Sequence, residues 1–166
     1  MKASGTLRRL AILVPLLVLG AGTRSVAAQQ IVTVSMPPAV SFAVTNISVT
    51  TTGAPSPVTV GYSNATLFTS GQRLRISVKA DTSSFSAPQG STAIPAESVS
   101  WVVSSAVSGS GSSGTLSAVS YGEVYRSNTN VSSGSADVTW RLAPLPAAGL
   151  RSGSQTLTVR WRIEAM

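Results

Sequence analysis

The chain has 166 residues, with 12 Lys+Arg against 5 Asp+Glu, no His and no Cys, for a formal charge of +7. Without Cys or His there is no Cys/His zinc site, iron–sulfur cluster, disulfide framework, Ser-His-Asp triad or cysteine nucleophile. Only 10% of residues are charged while 43% are hydrophobic, so the basic balance is not that of a disordered basic tail.

Residues 1–28 read as a secretory signal peptide. Lys2, Arg8 and Arg9 form the positive leader, Leu10 to Gly20 is the apolar run, and Val26-Ala27-Ala28 offers small residues for cleavage before Gln29. The run is shorter than the ~20 apolar residues of a membrane span, and it contains Pro15. This predicts a secreted, periplasmic or cell-surface protein with no stable membrane insertion once the signal is removed. Lys2, Arg8, Arg9 and Arg24 leave with the signal. The remaining residues, 29–166, carry 8 basic and 5 acidic side chains, a charge of +3. They form one predicted domain, long enough for its own core.

Beyond residue 28 the pattern is one of short strands. Residues 31–35 begin it. Val40, Phe42 and Val44 alternate with small residues, and Ile47 and Val49 follow after a phase change at Asn46 that suggests a bulge. Val58 and Val60 come after the turn signal Gly53-Ala-Pro-Ser-Pro57. Leu74, Ile76 and Val78 alternate with Arg73, Arg75, Ser77 and Lys79. Residues 80–96 read as a long loop. Val99, Trp101 and Val103 form the next strand, and Ser108 to Gly114 reads as a flexible hairpin tip. A less regular strand follows within 115–126. Val138, Trp140 and Leu142 alternate next, and Leu157, Val159, Trp161 and Ile163 close the series with Arg160, Arg162 and Glu164 between them. No apolar period of 3.6 residues is sustained. The expectation is an all-β fold, an antiparallel immunoglobulin-like or pilin-like β-sandwich of about 7–9 strands, with a closed barrel as the alternative.

Three features could carry function. Trp101, Trp140 and Trp161 share strand parity with aliphatic residues, which predicts core aromatics rather than an exposed sugar platform. Arg73, Arg75, Lys79, Arg141, Arg160 and Arg162 fall on the polar sides of strands. If those strands are neighbours they form a cationic face suited to an anionic polymer such as a cell-surface polysaccharide. Otherwise they are solvated strand faces that discourage edge pairing. The five carboxylates (Asp81, Glu97, Glu123, Asp137 and Glu164) are scattered singly, so no catalytic pair, metal site or cofactor site is read and no enzyme is expected. No nucleic-acid motif accompanies the modest charge, so no nucleic-acid partner is expected.

The last strand, Gln155-Thr-Leu-Thr-Val-Arg-Trp-Arg-Ile-Glu164, and the short alternating segment Gln29–Ser35 are the elements suited to strand addition between subunits. With the signal peptide and the all-β layout, the final strand after a Gly-containing turn gives the chain a loose similarity to chaperone–usher pilin subunits and spore-coat-protein-U-like domains. In texture it also resembles uncharacterised secreted bacterial β-sandwich proteins. Those pilin-type families often carry a disulfide, and this chain has none; the aromatic that pilins often place next to last is Ala165 here. The resemblance implies a non-enzymatic structural or surface protein, an assembly or adhesion subunit joining other protein subunits through strand edges. A binding module for glycan or another anionic polymer is the alternative.

Overall fold

The computed structural model describes residues 32–37, 39–66, 70–146 and 148–166. The signal-peptide reading of residues 1–28 lies outside them. The described residues form ten strands: β1 (Thr33–Ser35), β2 (Thr51–Thr52), β3 (Val58–Ser63), β4 (Leu74–Ala80), β5 (Val99–Val107), β6 (Gly109–Gly111), β7 (Gly114–Thr115), β8 (Gly122–Ser127), β9 (Gly134–Leu142) and β10 (Val159–Ala165). A short 3-10 turn, Ala96–Ser98, precedes β5. The expected seven to nine strands were counted from long alternating runs; ladder pieces of two or three residues raise the number.

Two antiparallel sheets result. One has the order β1-β3-β9-β5-β7, with β2 also pairing β9; the other is β10-β4-β8-β6. The core lies between them, a β-sandwich-like arrangement. Its residues come from the inward positions of alternating strands. Val58, Val60, Val138, Trp140, Val99 and Trp101 face in from the first sheet, and Leu74, Ile76, Val78 and Tyr125 from the second. The period-2 pattern produces this directly, because successive side chains of a strand point to opposite faces. A bulge between Ile76 and Ser77 shifts the β4–β8 register. It leaves Val124 as an extra residue, fully buried.

Two expectations are corrected. Residues 40–49 do not form strands; the segment is irregular, tied by a bridge between Ser41 and Ala54 and by Leu145 N–H donating to the Ile47 carbonyl. The phase change at Asn46 is a side-chain turn, with Ser48 N–H donating to Asn46 Oδ1 at 2.9 Å, rather than a bulge. Val40, Phe42 and Ile47 still pack on the core. They satisfy the hydrophobic alternation without a partner strand.

The second correction concerns the Gly/Ser run 108–114. It is paired on both sides rather than a free tip: β6 joins β8 in one sheet and β7 joins β5 in the other. The chain crosses between sheets there, turning at Ser108 with φ of 57°. Glycine is required because large rings already occupy the space. Trp101 lies against Gly114 of its own sheet and Gly122 of the opposite one. A Cβ on Gly122 would come within 2.4 Å of the Trp101 ring. Gly122→Ala is therefore expected to destabilise the protein by about 1–3 kcal/mol through overpacking, measurable by urea unfolding. An unchanged midpoint would show that the ring can move aside.

The aromatic rings bridge the sheets and satisfy their polar ends. Trp101 Nε1 donates to the Ser112 carbonyl at 2.7 Å, and the Tyr125 hydroxyl donates to the Val107 carbonyl at 2.8 Å. Burial raises the Tyr125 phenol pKa above its ordinary value, with the neighbouring Tyr62 adding to the effect. Trp101, Trp140 and Trp161 stack in sequence, with centroid separations of 6.0 Å and then 6.2 Å. These spacings lie in the favourable range for tilted and edge-on rings. Trp101 and Trp140 are buried, whereas Trp161 is only partly so. All three face inward, as strand parity predicts.

Candidate functional site

The outer face of the four-stranded sheet gathers most of the predicted cationic residues. In the β4–β10 ladder, Arg160 lies opposite Lys79, Arg162 opposite Ser77, and Glu164 opposite Arg75. Because Trp161 and Ile163 point inward, Arg160, Arg162 and Glu164 point outward. Four of the six predicted residues, Arg75, Lys79, Arg160 and Arg162, thus share one surface. Arg73 precedes β4 and is exposed. Arg141 lies on β9 in the other sheet, opposite Thr52 and Ser100. It does not join the cluster, because polar-side parity says nothing about which sheet a strand enters.

The face is laced with ion pairs. Arg75 holds Glu164. Arg162 reaches the other oxygen of the same carboxylate at 3.3 Å. Arg160 pairs with Asp81 at 2.5 Å, and Arg126 with Glu123 at 2.6 Å. These carboxylates raise the Arg160 and Arg126 pKa values, chiefly through the hydrogen bonds to Asp81 and Glu123 respectively. Among the described residues Lys79 has no carboxylate partner. Its Nζ instead lies 5.3 Å from the centre of the Tyr121 ring. The Arg162 guanidinium carbon lies 4.3 Å from the same ring. Both are within cation–π range. Tyr121 escaped the sequence reading because it sits just before β8, outside any alternating run. Its only signal was an aromatic side chain between two small residues, Ser120 and Gly122.

Beside this face is a shallow cleft of about 300 Å³ lined by Asp81, Phe85 and hydroxyl residues including Thr82, Ser84, Thr156 and Thr158. Asp81 joins the cleft to the cationic face, since it also holds Arg160.

The second notable feature is the outer edge of β10. Arg73 and Met166 exchange both backbone hydrogen bonds, and Asp81 N–H donates to the Thr158 carbonyl. Hydrogen-bonded pairs alternate along an antiparallel ladder. Glu164, Arg162 and Arg160 therefore spend their backbone groups on β4. Val159, Trp161, Ile163 and Ala165 turn their N–H and C=O groups outward, where no described strand meets them. The inward side chains of Val159, Trp161 and Ile163 are partly buried, packed against the core. The other sheet ends are short: β1 and β6 have three residues each, and β2 and β7 two. At seven residues, β10 is the longest of the described end strands. Of the N-terminal segment proposed for strand addition, Thr33–Ser35 are seated in their own sheet, paired to β3.

Four of the five carboxylates are held by ion pairs or hydrogen bonds. Asp81, Glu123 and Glu164 bind arginines as above. Asp137, on the outer face of the other sheet, accepts from Ser105 Oγ and Thr59 Oγ1, both at 2.7 Å, joining β5, β9 and β3. These two bonds, Ser105 first, lower the Asp137 pKa below its ordinary value near 3.8. A depressed folded-state pKa contributes stability above the unfolded value, and this is lost as the pH falls through the folded one. Asp137→Asn is thus expected to flatten the fall in stability below about pH 3.8. Urea midpoints measured from pH 5 downward read this; parallel acid limbs for both proteins would refute it.

Among the described residues no group of three His, Cys, Asp or Glu side chains is placed to hold a metal ion, and no helix is long and apolar enough to cross a membrane. The described residues form two antiparallel sheets, with a charged, aromatic-bearing face and a long edge that no described strand covers. No family model, curated protein or solved structure matches it.

Proposed function

We propose that this is an exported, non-enzymatic assembly or surface subunit that joins a partner by strand addition at the β10 edge. The observation that supports the reading most is the seven-residue edge of β10, with outward backbone groups on Val159, Trp161, Ile163 and Ala165. Adding a strand there supplies main-chain hydrogen bonds, and the half-buried side chains of Val159, Trp161 and Ile163 offer apolar surface to the incoming strand. Natural sheets usually blunt such edges by shortening them, by bulges, by proline or by charged side chains, and of these devices β10 has only the charges of Arg160, Arg162 and Glu164. The short edge strands of this chain follow that rule, whereas β10 carries neither proline nor a bulge against β4. Its arginines select which strand adds: an incoming strand bearing Asp or Glu opposite Arg160 or Arg162 pairs favourably, and a basic one is repelled. The signal-peptide reading and the loose sequence resemblance to pilin-type subunits point the same way.

Light scattering on the purified chain over a range of concentrations tests this. The weight-average mass is expected to rise with concentration through strand-edge contacts. A single monomeric mass at every concentration, together with no uptake of an acidic β-strand peptide, would overturn it.

A further inference from the structure

Independently of the β10 edge, we propose that the outer face of the β4–β10 pair binds an acidic polysaccharide, a chain of uronate-type sugar residues. Its carboxylates meet Lys79 and Arg162, one sugar ring lies against Tyr121, and the next enters the cleft beside Asp81.

The charge balance supplies the first argument. Arg75 and Arg162 share the single carboxylate of Glu164. Arg160 has Asp81 and Arg126 has Glu123. Lys79 has only the Tyr121 ring among the described residues. Five cations thus share three carboxylates, and the surplus falls at Lys79 and Arg162. A face built only for solvation has no reason to concentrate its surplus around an aromatic ring.

Geometry supplies the second. Arg162 stands opposite Ser77, two residues along β4 from Lys79. The two cations are diagonal neighbours, with stems about 7–8 Å apart, and Tyr121 is shared between them. A sugar carrying an acid group presents a flat C–H face and an anion together, which suits a tyrosine flanked by cations. Tyr121 is itself only partly buried.

The cleft supplies the third. Threonine and serine hydroxyls both donate and accept, as polyol hydroxyls do, and Phe85 adds an apolar surface to the lining. Asp81 touches both the cleft and Arg160. A polymer can therefore continue from the charged face into the cleft. A protein partner would be expected to meet a larger apolar centre than this face offers.

Affinity electrophoresis of the full chain tests the proposal, in native gels containing polygalacturonate, neutral dextran or inorganic polyphosphate. Retardation is expected in polygalacturonate alone or far more strongly than in the others. Lys79→Gln, Arg162→Gln and Tyr121→Leu should each weaken it by about tenfold. Arg141→Gln, which removes the same charge from the other sheet outside the cluster, should leave it unchanged. Thermal melts of each variant confirm folding, and the glutamine variants retain side-chain length if Tyr121→Leu proves unstable. Absence of retardation overturns the proposal. So does equal retardation in polyphosphate, which would mean plain charge attraction, or equal retardation in dextran, which would mean that the cations play no part. Full retention in the Lys79 and Arg162 variants places the polymer elsewhere and also overturns it.

Discussion

Trp101→Ala is expected to lower the free energy of unfolding by about 3–5 kcal/mol, close to the whole stability of many small domains. The ring is 2% exposed and fills the space between the two sheets. Gly114 on one side and Gly122 on the other have no side chains with which to close the cavity. The cost therefore lies near the upper end, because a site walled by backbone collapses poorly. The lost ring also leaves the Ser112 carbonyl without the indole N–H, which adds desolvation cost. Trp161→Ala provides the contrast. Its ring caps Trp140 edge-on at 6.2 Å but is partly exposed, so roughly half the loss is expected. Urea unfolding of both variants against wild type reads the difference. Equal losses would mean that the β10 side of the core is as closed as its centre, and the reading of a free edge there would fail with it.

The alternating strands were the most legible part of the chain. Leu74, Ile76 and Val78, or Val138 and Trp140, announce their inward face through period 2, and the structure places them as that pattern requires. The same rule failed at Val40, Phe42 and Val44. Alternation reports a half-buried extended chain, and ladder pairing needs a partner that only long-range topology supplies. The glycine run failed for the opposite reason. Gly109, Gly111 and Gly114 read locally as flexible. Their packing against Tyr125, Val103 and Trp101 is set by residues elsewhere in the sequence and invisible to local composition.

The candidate site was legible by half. Parity put Arg75, Lys79, Arg160 and Arg162 on polar sides, but only the adjacency of β4 and β10 makes them one surface. Arg141 has the same local pattern and lies in the other sheet. Tyr121, the ring on which Lys79 and Arg162 converge, belongs to no periodic run. Likewise, parity placed Trp161 inward but could not show that its strand ends a sheet. Strand order is not a local property, and both the face and the edge depend on it.

Replacing neighbouring residues of β10 with proline should produce opposite outcomes, and this is the sharpest test of the free edge. Arg160 donates its backbone N–H toward Lys79 on β4, by the alternation established at Thr158 and Met166. Arg160→Pro removes that donor and leaves a β4 carbonyl unpaired, at an expected cost of about 2–4 kcal/mol. Val159 is the first residue of the strand and points its N–H outward. Proline is tolerated at such a position, so Val159→Pro should cost the monomer about 1 kcal/mol or less, mostly from trimmed apolar contact. The order reverses for association. Val159→Pro places a ring and no donor on the edge where a strand would add, so the rise in mass with concentration should be suppressed even though the fold survives. Amide hydrogen exchange gives the same answer residue by residue. In the dilute monomer, Arg160, Arg162 and Glu164 should be protected while Val159, Trp161 and Ile163 exchange readily; on association the second set should slow as well. Uniform protection across β10 in the dilute protein would mean that this edge is already covered, and strand addition there would be ruled out.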